Sequence, residues 1–189
     1  MSAKLDRRKK YTRQVLKESF IKKLKEKPFS SITIKEICDY ADINRSTFYS
    51  HYSDLKNLLN QIEDNIISDL NKTLSDYNHT KNEEAIQMIE KLLEYLAENR
   101  ESSQTLFSEH GDPTFQKRVM QLAQNHMLKS LEGEGSNQTT FNSEYLSIYI
   151  VNGSIHVVQH WLKNGLKESP KDIAEMIANI SFKGFSAYK

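Results

Sequence analysis

Apolar positions recur at helical spacing along nearly the whole chain. Val15, Leu16, Phe20 and Leu24 fall three to four residues apart and predict a first helix. It should end near Lys27-Pro28, because proline disfavours helical geometry in the residue before it. The preceding residues 1–10 are polar and basic (Lys4, Arg7, Arg8, Lys9, Lys10) and are expected to fray. Ile34, Ile37, Cys38 and Ala41 share one face of a second helix, with Thr33 as N-cap and Glu36 completing a capping box. Asp42-Ile43-Asn44 turns the chain. Asn44 then caps a third helix running to about residue 51, with Phe48, Tyr52 and Ile43 facing inward. Ser53 or Asp54 caps a long fourth helix whose apolar stripe is Leu55, Leu58, Leu59, Ile62, Ile66 and Leu70.

The rest reads as helices over about 83–100, 114–131, 142–164 and 170–188. They are divided by Gly111-Asp112-Pro113, by a polar loop at 133–140, and by Gly165 and Pro170. Pro170 suits a first-turn position, with Ser169 as the cap. No strand-like alternation and no internal repeat interrupts this pattern. The fold class is all-α: an N-terminal three-helix head at 1–53 and a C-terminal helical domain at 54–189.

Composition narrows the function. The 189 residues are 38% hydrophobic and 27% charged, enough for a real core in a water-soluble chain. A single cysteine, Cys38, excludes an internal disulfide and fits a reducing cytoplasm. No apolar run approaches the roughly 20 residues that span a bilayer, so no membrane partner is expected. The start of the chain has no apolar signal core. The net charge of +1 conceals an asymmetry. Residues 1–60 hold 14 Lys+Arg against 7 Asp+Glu, net +7, and residues 61–189 hold 12 against 18, net −6. The front of the chain is therefore the part suited to a polyanion.

The second and third helices, joined by a short polar turn within that basic front, form a helix-turn-helix pattern. One helix braces and the other presents small polar, hydroxyl and cationic groups to a major groove. Chemistry of other kinds finds little support. There is no glycine-rich phosphate loop, no Gly-x-Ser-x-Gly and no Cys–His pairing, so an enzyme is not expected. His156 and His160 stand four apart, but no carboxylate follows in ligand spacing, and neither metal nor other cofactor is expected.

Ile32-Thr33-Ile34-x-x-Ile37, Ala41-x-Ile43, Thr47-Phe48-Tyr49-x-His51-Tyr52 and Leu58-Leu59 resemble, in order and spacing, the head of TetR/AcrR-type transcriptional regulators. Gly111-Asp112-Pro113-x-Phe115, Gly153 and Trp161-Leu162-x-Asn164-Gly165 with Ser169-Pro170 resemble a C-terminal subtype common in low-GC Gram-positive bacteria. Two positions depart from the family pattern. Asp42 replaces a glycine in the turn, where positive φ is often needed and Asp tolerates it better than most residues. Leu55 replaces a lysine at the start of the fourth helix, and Lys56 beside it is the candidate to take over a phosphate contact.

The resemblance implies a cytoplasmic homodimer on double-stranded DNA, its two recognition helices entering successive major grooves of a near-palindromic site. Arg45 has the fork to grip a guanine edge, and Ser46, Thr47 and Ser50 offer hydroxyl or methyl contacts. Lys35 matches a position that reaches a base or phosphate. Tyr49 and His51 match phosphate contacts, as do the backbone amides near Ser53-Asp54. Thr33 offers its hydroxyl to a phosphate, and Arg7, Arg8 and Lys10 extend the footprint electrostatically. The bland alternatives stay open: Thr33 as a cap alone, Arg45 in a surface salt bridge, His51 as a core histidine, and Arg7, Arg8 and Lys10 as a solvated tail. In the rear, the resemblance implies a four-helix dimer interface from the last two helices, with Ile148, Ile155, Val158, Leu162, Ile173, Ile177, Ile180 and Phe182 as its apolar surface or as core. It further implies a small apolar or amphipathic effector among Tyr95, Phe107, Phe115, Met120, Tyr145, Tyr149 and Trp161, unless these are simply core. Control by a protein partner, with a co-activator role in place of a repressor's, is the alternative, and a nonspecific nucleic-acid binder a further one.

Overall fold

The computed structural model describes residues 2–77, 82–132 and 140–186, and side chains over 6–77, 83–128 and 144–181. Among these residues the chain is helical, with one 3-10 turn at Phe29–Ser31 and no strand. The helices are α1 (Ser2–Glu26), α2 (Ile34–Ala41), α3 (Arg45–Tyr49), α4 (Leu55–Ser75), α5 (Asn82–Glu98), α6 (Arg100–Leu106), α7 (Pro113–Glu132), α8 (Thr140–Lys163) and α9 (Pro170–Ser186). The all-α expectation holds. No helix among the described residues is long and apolar enough to cross a membrane.

The chain divides into two compact units: Met1–Ile66 with Thr105–Asp112, and Ile67–Gln104 with Pro113–Lys189. In the first, α1 packs on α2 and α2 on α3. Leu16, Phe20, Ile21 and Leu24 of α1 are buried with Ile37, Cys38, Phe48, Tyr52, Leu58 and Leu59. Burying each of the larger apolar side chains contributes roughly 1.5–3 kcal/mol. Phe29 folds back edge-on against Phe20, ring centroids 6.2 Å apart. Helix α1 already starts at Ser2, so residues 2–10, expected to fray at their start, are helical. Lysine and arginine propagate a helix well, and residues 1–26 hold neither glycine nor proline to stop it.

Each local signal between Thr33 and Asn57 is realised. Glu36 N–H donates to Thr33 Oγ1 (3.3 Å) and Thr33 N–H to Glu36 Oε2 (2.9 Å), the reciprocal capping box of α2. The Asp42 backbone is left-handed, φ 52° and ψ 43°. Ile43 N–H donates to Cys38 O (3.0 Å) and Asp42 N–H to Asp39 O (3.5 Å). This is a Schellman ending with aspartate in the glycine position. Asn44 Oδ1 accepts from Thr47 N–H at 2.8 Å and caps α3. Helix α3 stops at Tyr49, two residues short of expectation, where Ser50 Oγ donates to Thr47 O (2.7 Å) and occupies a last-turn carbonyl. Asp54, of the two candidates, caps α4 by accepting from Asn57 N–H at 2.7 Å.

The first unit is larger than the 1–53 segment delimited on sequence, because it runs on to Ile66 and because residues 105–112 return to it. His110 Nδ1 donates to Leu24 O (3.1 Å), and Asp112 pairs with Lys56 at 2.6 Å. Gly111 is buried, and a Cβ there would lie 2.0 Å from Leu106 O, so only glycine fits.

In the second unit α5 packs chiefly on α9, and α7 on α8. Leu93, Leu96, Phe115, Val119, Trp161, Leu162, Ala174 and Ile177 are buried there. The helix expected over 83–100 is two helices. Asn99 breaks it, its amide donating to Tyr95 O at 2.9 Å in competition with the backbone. Helix α6 was invisible to hydrophobic periodicity because it hides small polar residues, Ser103 and Thr105, beside Leu106. Gly165 (φ 92°) and Leu166 (φ 58°) end α8, with Leu166 N–H donating to Trp161 O at 3.1 Å. Ser169 caps α9 by accepting from Asp172 N–H at 3.1 Å. Of the polar loop expected at 133–140, residues 133–139 lie outside the described residues and Thr140 already belongs to α8.

Candidate nucleic-acid interface

The helix-turn-helix is held from behind and open in front. Phe48 is fully buried and Tyr52 almost so, their rings 5.8 Å apart, and Ile37 lies with them in the core. These anchors present the opposite side of α3 to solvent. Arg45, Ser46, Tyr49 and Ser50 are exposed, while Thr47 and His51 are half-buried. Tyr49 stands edge-on to Phe48 (5.6 Å), which fixes its ring while leaving it 56% exposed.

The hydroxyls are already ordered. Ser46 Oγ and Thr47 Oγ1 both donate to Asn44 Oδ1, at 2.6 and 2.9 Å. Their lone pairs and the Thr47 methyl therefore remain for contacts outward. Arg45 makes no ion pair or side-chain hydrogen bond among the described residues, so the surface salt bridge considered for it does not form. Lys35 is exposed at the second position of α2 and is equally unpaired. Thr33 works as a cap, and its hydroxyl also donates to Glu36 Oε2 at 2.8 Å, leaving one lone pair outward. Glu36 is held down to about 2, first by its bond from Lys27 (2.6 Å) and then by Thr33.

Lys56, the candidate phosphate contact at the start of α4, is engaged within the chain. Its Nζ is paired with Asp112 at 2.6 Å and lies 6.0 Å over the Phe29 ring. A phosphate contact by Lys56 would compete with that carboxylate.

His51 is neither a core histidine nor fully free. Burial first, then the positive charges of Arg13 and Lys9, lower its pKa from the usual histidine value. Lys9 and Arg13 were not singled out on sequence as contacts. The signal was their four-residue spacing, which places both on one side of α1 once that helix extends to Ser2. Arg7, Arg8 and Lys10 are exposed on the same extended helix and not on a tail.

The rear candidates do not share one environment. Phe115 and Trp161 are buried, and Trp161 Nε1–H donates to Glu168 O at 2.9 Å. Tyr95 is half-buried and donates its hydroxyl to Asp69 (3.0 Å), and burial followed by that bond raises its pKa. Phe107 and Met120 are half-buried, Phe107 within the first unit. Tyr145 and Tyr149 are 58% and 76% exposed and face solvent, not the interior of their unit. They lie on the side of α8 opposite the buried Ser147 and Val151. Of the residues considered for a dimer face, Leu162, Ile173 and Ile177 are buried in their own unit. Ile155 and Val158 are half-buried, Ile148 and Ile180 are exposed, and the Phe182 side chain lies outside the described residues. His156 Nδ1 donates to Asn152 O (2.8 Å) and His160 Nε2 accepts from the Asn164 amide (2.6 Å). No group of three or more possible metal ligands occurs among the described residues.

A family profile described as the C-terminal region of a transcriptional regulator matches residues 83–183, more than half of the chain. The fold is similar to that of a TetR transcriptional regulator from Streptococcus agalactiae, with a TM-score of 0.68, 22% identity, and coverage of 96% of this chain and 99% of the other. It is similar to NalD of Pseudomonas aeruginosa, the secondary repressor of the MexAB-OprM multidrug efflux pump (TM-score 0.68, 15% identity, coverage 93% and 97%). It is also similar to the transcriptional regulator FadR of Bacillus subtilis in complex with stearoyl-CoA (TM-score 0.63, 12% identity, coverage 89% and 96%). At these identities the likeness is one of fold. No curated protein matches the sequence.

Proposed function

The chain belongs to the TetR/AcrR family of transcriptional regulators, and on that premise we propose that it is a sequence-specific cytoplasmic repressor. Two copies form a two-fold dimer that reads a near-palindromic operator and is released by a small apolar or amphipathic effector. Residues 1–53 carry the DNA contacts, and residues 54–189 carry regulation and dimerisation. The observation that carries this reading is the open face of α3. Arg45 stands at its start without an ion pair among the described residues, and Ser46, Thr47 and the C-cap Ser50 line the same short segment. Asn44 and Phe48 lock its orientation. Arg45 is the reader of a guanine edge. Lys35, Tyr49 and His51 hold backbone phosphates, and Thr33 acts as the cap of α2. In the dimer, Ile148 and Ile180 face the second copy.

The effector would act by population shift, binding the state that cannot span two half-sites better than the state that can. Phe115, Trp161, Tyr95 and Met120 are the residues around which it would lodge. A second reading, control by a protein partner, is favoured by one observation: Tyr145 and Tyr149 stand on the outside of α8. Selection of duplexes by the full-length protein from a random-sequence pool tests the proposal. A two-fold symmetric consensus is expected. Recovery of unrelated sequences in proportion to the pool would refute sequence-specific reading.

A further inference from the structure

Three hydroxyls stand on the α3 segment, and the hydrogen of each is already engaged. Asn44 Oδ1 faces the backbone N–H of Thr47 at 2.8 Å. A backbone amide only donates, so the atom facing it is the side-chain oxygen and not the amide nitrogen. Ser46 Oγ (2.6 Å) and Thr47 Oγ1 (2.9 Å) lie on that same oxygen, and both must therefore donate to it. Ser50 Oγ lies 2.7 Å from Thr47 O, a carbonyl that only accepts. Thr47 is half-buried, whereas Ser46 and Ser50 are exposed and stand four residues apart, on one outward side of the segment with Arg45 and Tyr49. The groups suited to base edges are thus divided by chemistry. Arg45 supplies hydrogens, and the two exposed serines supply lone pairs alone.

We propose that Asn44 is a positioning residue for base specificity: by holding the Ser46 hydrogen, as Thr47 O holds that of Ser50, it restricts the serine to amino-bearing bases, adenine or cytosine, at the position it faces. This rests on the reading of α3 as the base-reading element and names what its hydroxyls select. A free serine hydroxyl donates or accepts and so suits any base edge. In the major groove adenine N6 and cytosine N4 donate, whereas guanine O6 and thymine O4 accept. A serine whose hydrogen is held meets the first two with a hydrogen bond and the last two with opposed lone pairs. To donate outward it must first give up its internal bond. A keto base is therefore disfavoured by about the worth of one hydrogen bond, roughly two- to tenfold per head. The signature is distinctive. Adenine and cytosine exchange with little loss at such a position, although an A·T pair becomes a C·G pair, while swapping the two bases of either pair is penalised. The position facing Arg45 follows the opposite rule, because guanine supplies two acceptors there.

The test uses the full-length protein, a labelled duplex enriched from a random pool, and fluorescence anisotropy on every single-base variant of it at one salt concentration. Ser46→Ala and Ser50→Ala locate the position each serine faces, as the position where discrimination is lost. At both, wild type is expected to bind adenine or cytosine roughly two- to tenfold better per head than guanine or thymine. Asn44→Gly then separates positioning from capping, since glycine is a mild replacement for an N-cap, and circular dichroism checks its fold. It returns the Ser46 hydrogen, so all four bases are expected to bind alike at the Ser46 position. The Ser50 position keeps its amino preference, because Thr47 O still holds that hydrogen. A merely structural cap would weaken binding evenly and leave both preferences in place, and that result overturns the inference. So does a wild type that favours guanine or thymine, or shows no preference, at either position, and so do serine-to-alanine changes without effect at any position. These wild-type and serine results decide the matter even where Asn44→Gly does not fold. Absence of any sequence-specific binding by wild type overturns the base-reading role of α3, and this inference with it.

Discussion

Asp42 makes the turn of the helix-turn-helix at a position built for glycine. Its φ of 52° and ψ of 43° are left-handed, and its carboxylate sits exposed at the C-terminal end of α2 without a hydrogen bond among the described residues. Two costs follow. A side chain in this region costs roughly 1–2 kcal/mol, less for aspartate than for most residues. A negative charge at a helix C-terminus costs about 0.3–1 kcal/mol. Glycine removes both but loses about 0.5–1 kcal/mol through its greater freedom in the unfolded chain. Asp42→Gly should therefore stabilise the chain by about 0.5–1 kcal/mol, Asp42→Asn by the electrostatic part alone, about 0.3–1 kcal/mol. Asp42→Ala should be the least stable of the set, because it keeps the strain and gives up the local polar side chain that tolerates it. Urea midpoints at constant m, supported by melting shifts of about 2–4 °C per kcal/mol, read these differences. An alanine variant as stable as the glycine variant would refute the strain argument. Destabilisation by both glycine and asparagine would refute the whole account of the turn.

Gly111→Ala forces a methyl against Leu106 O, and overpacking of this kind should cost about 1–3 kcal/mol or more, seen as a lower denaturation midpoint. Thr33→Ala removes the α2 cap and should cost about 1 kcal/mol by the same measurement. Glu36 lies at about 2 in the folded chain against its usual 4.5. Its folded pKa is the lower one, so its contribution is present above about pH 4.5 and fades as pH falls toward 2, and Glu36→Gln should flatten an acid titration of stability in that window. Replacing the exposed Ile148 and Ile180 with serine should weaken self-association in sedimentation while leaving the circular dichroism of the chain unchanged.

The head was legible in the sequence because each of its boundaries is set by a local device. Proline ends α1, Thr33 with Glu36 starts α2, Asn44 starts α3 and Asp54 starts α4, and each works through a hydrogen bond to a neighbour a few residues away. The outward face of α3 was legible for the same reason, since Phe48 and Tyr52 at four-residue spacing decide which side of the helix is outward. What escaped depended on distant partners. Nothing near Lys56 in sequence announces that Asp112 will take its ammonium. Nothing near residue 105 shows that this stretch returns to the first unit, or that α6 buries small polar residues in place of leucines. The helical state of residues 2–10 escaped because a basic stretch without apolar periodicity reads as a tail until the helix is known to continue through it. The aromatics of the rear show the opposite error: Tyr145 and Tyr149 suggest a pocket by type, yet the register of α8 set by Ser147 and Val151 turns them outward.

The central claim is that α3 reads bases through Arg45. Its most direct test compares wild type and Arg45→Ala on a selected operator and on every single-base variant of it, at one fixed salt concentration. The account predicts that the substitution costs about 1–3 kcal/mol on the selected operator and abolishes discrimination at one symmetry-related pair of positions, leaving preferences elsewhere intact. A uniform loss on all variants, or no loss on any, would contradict it.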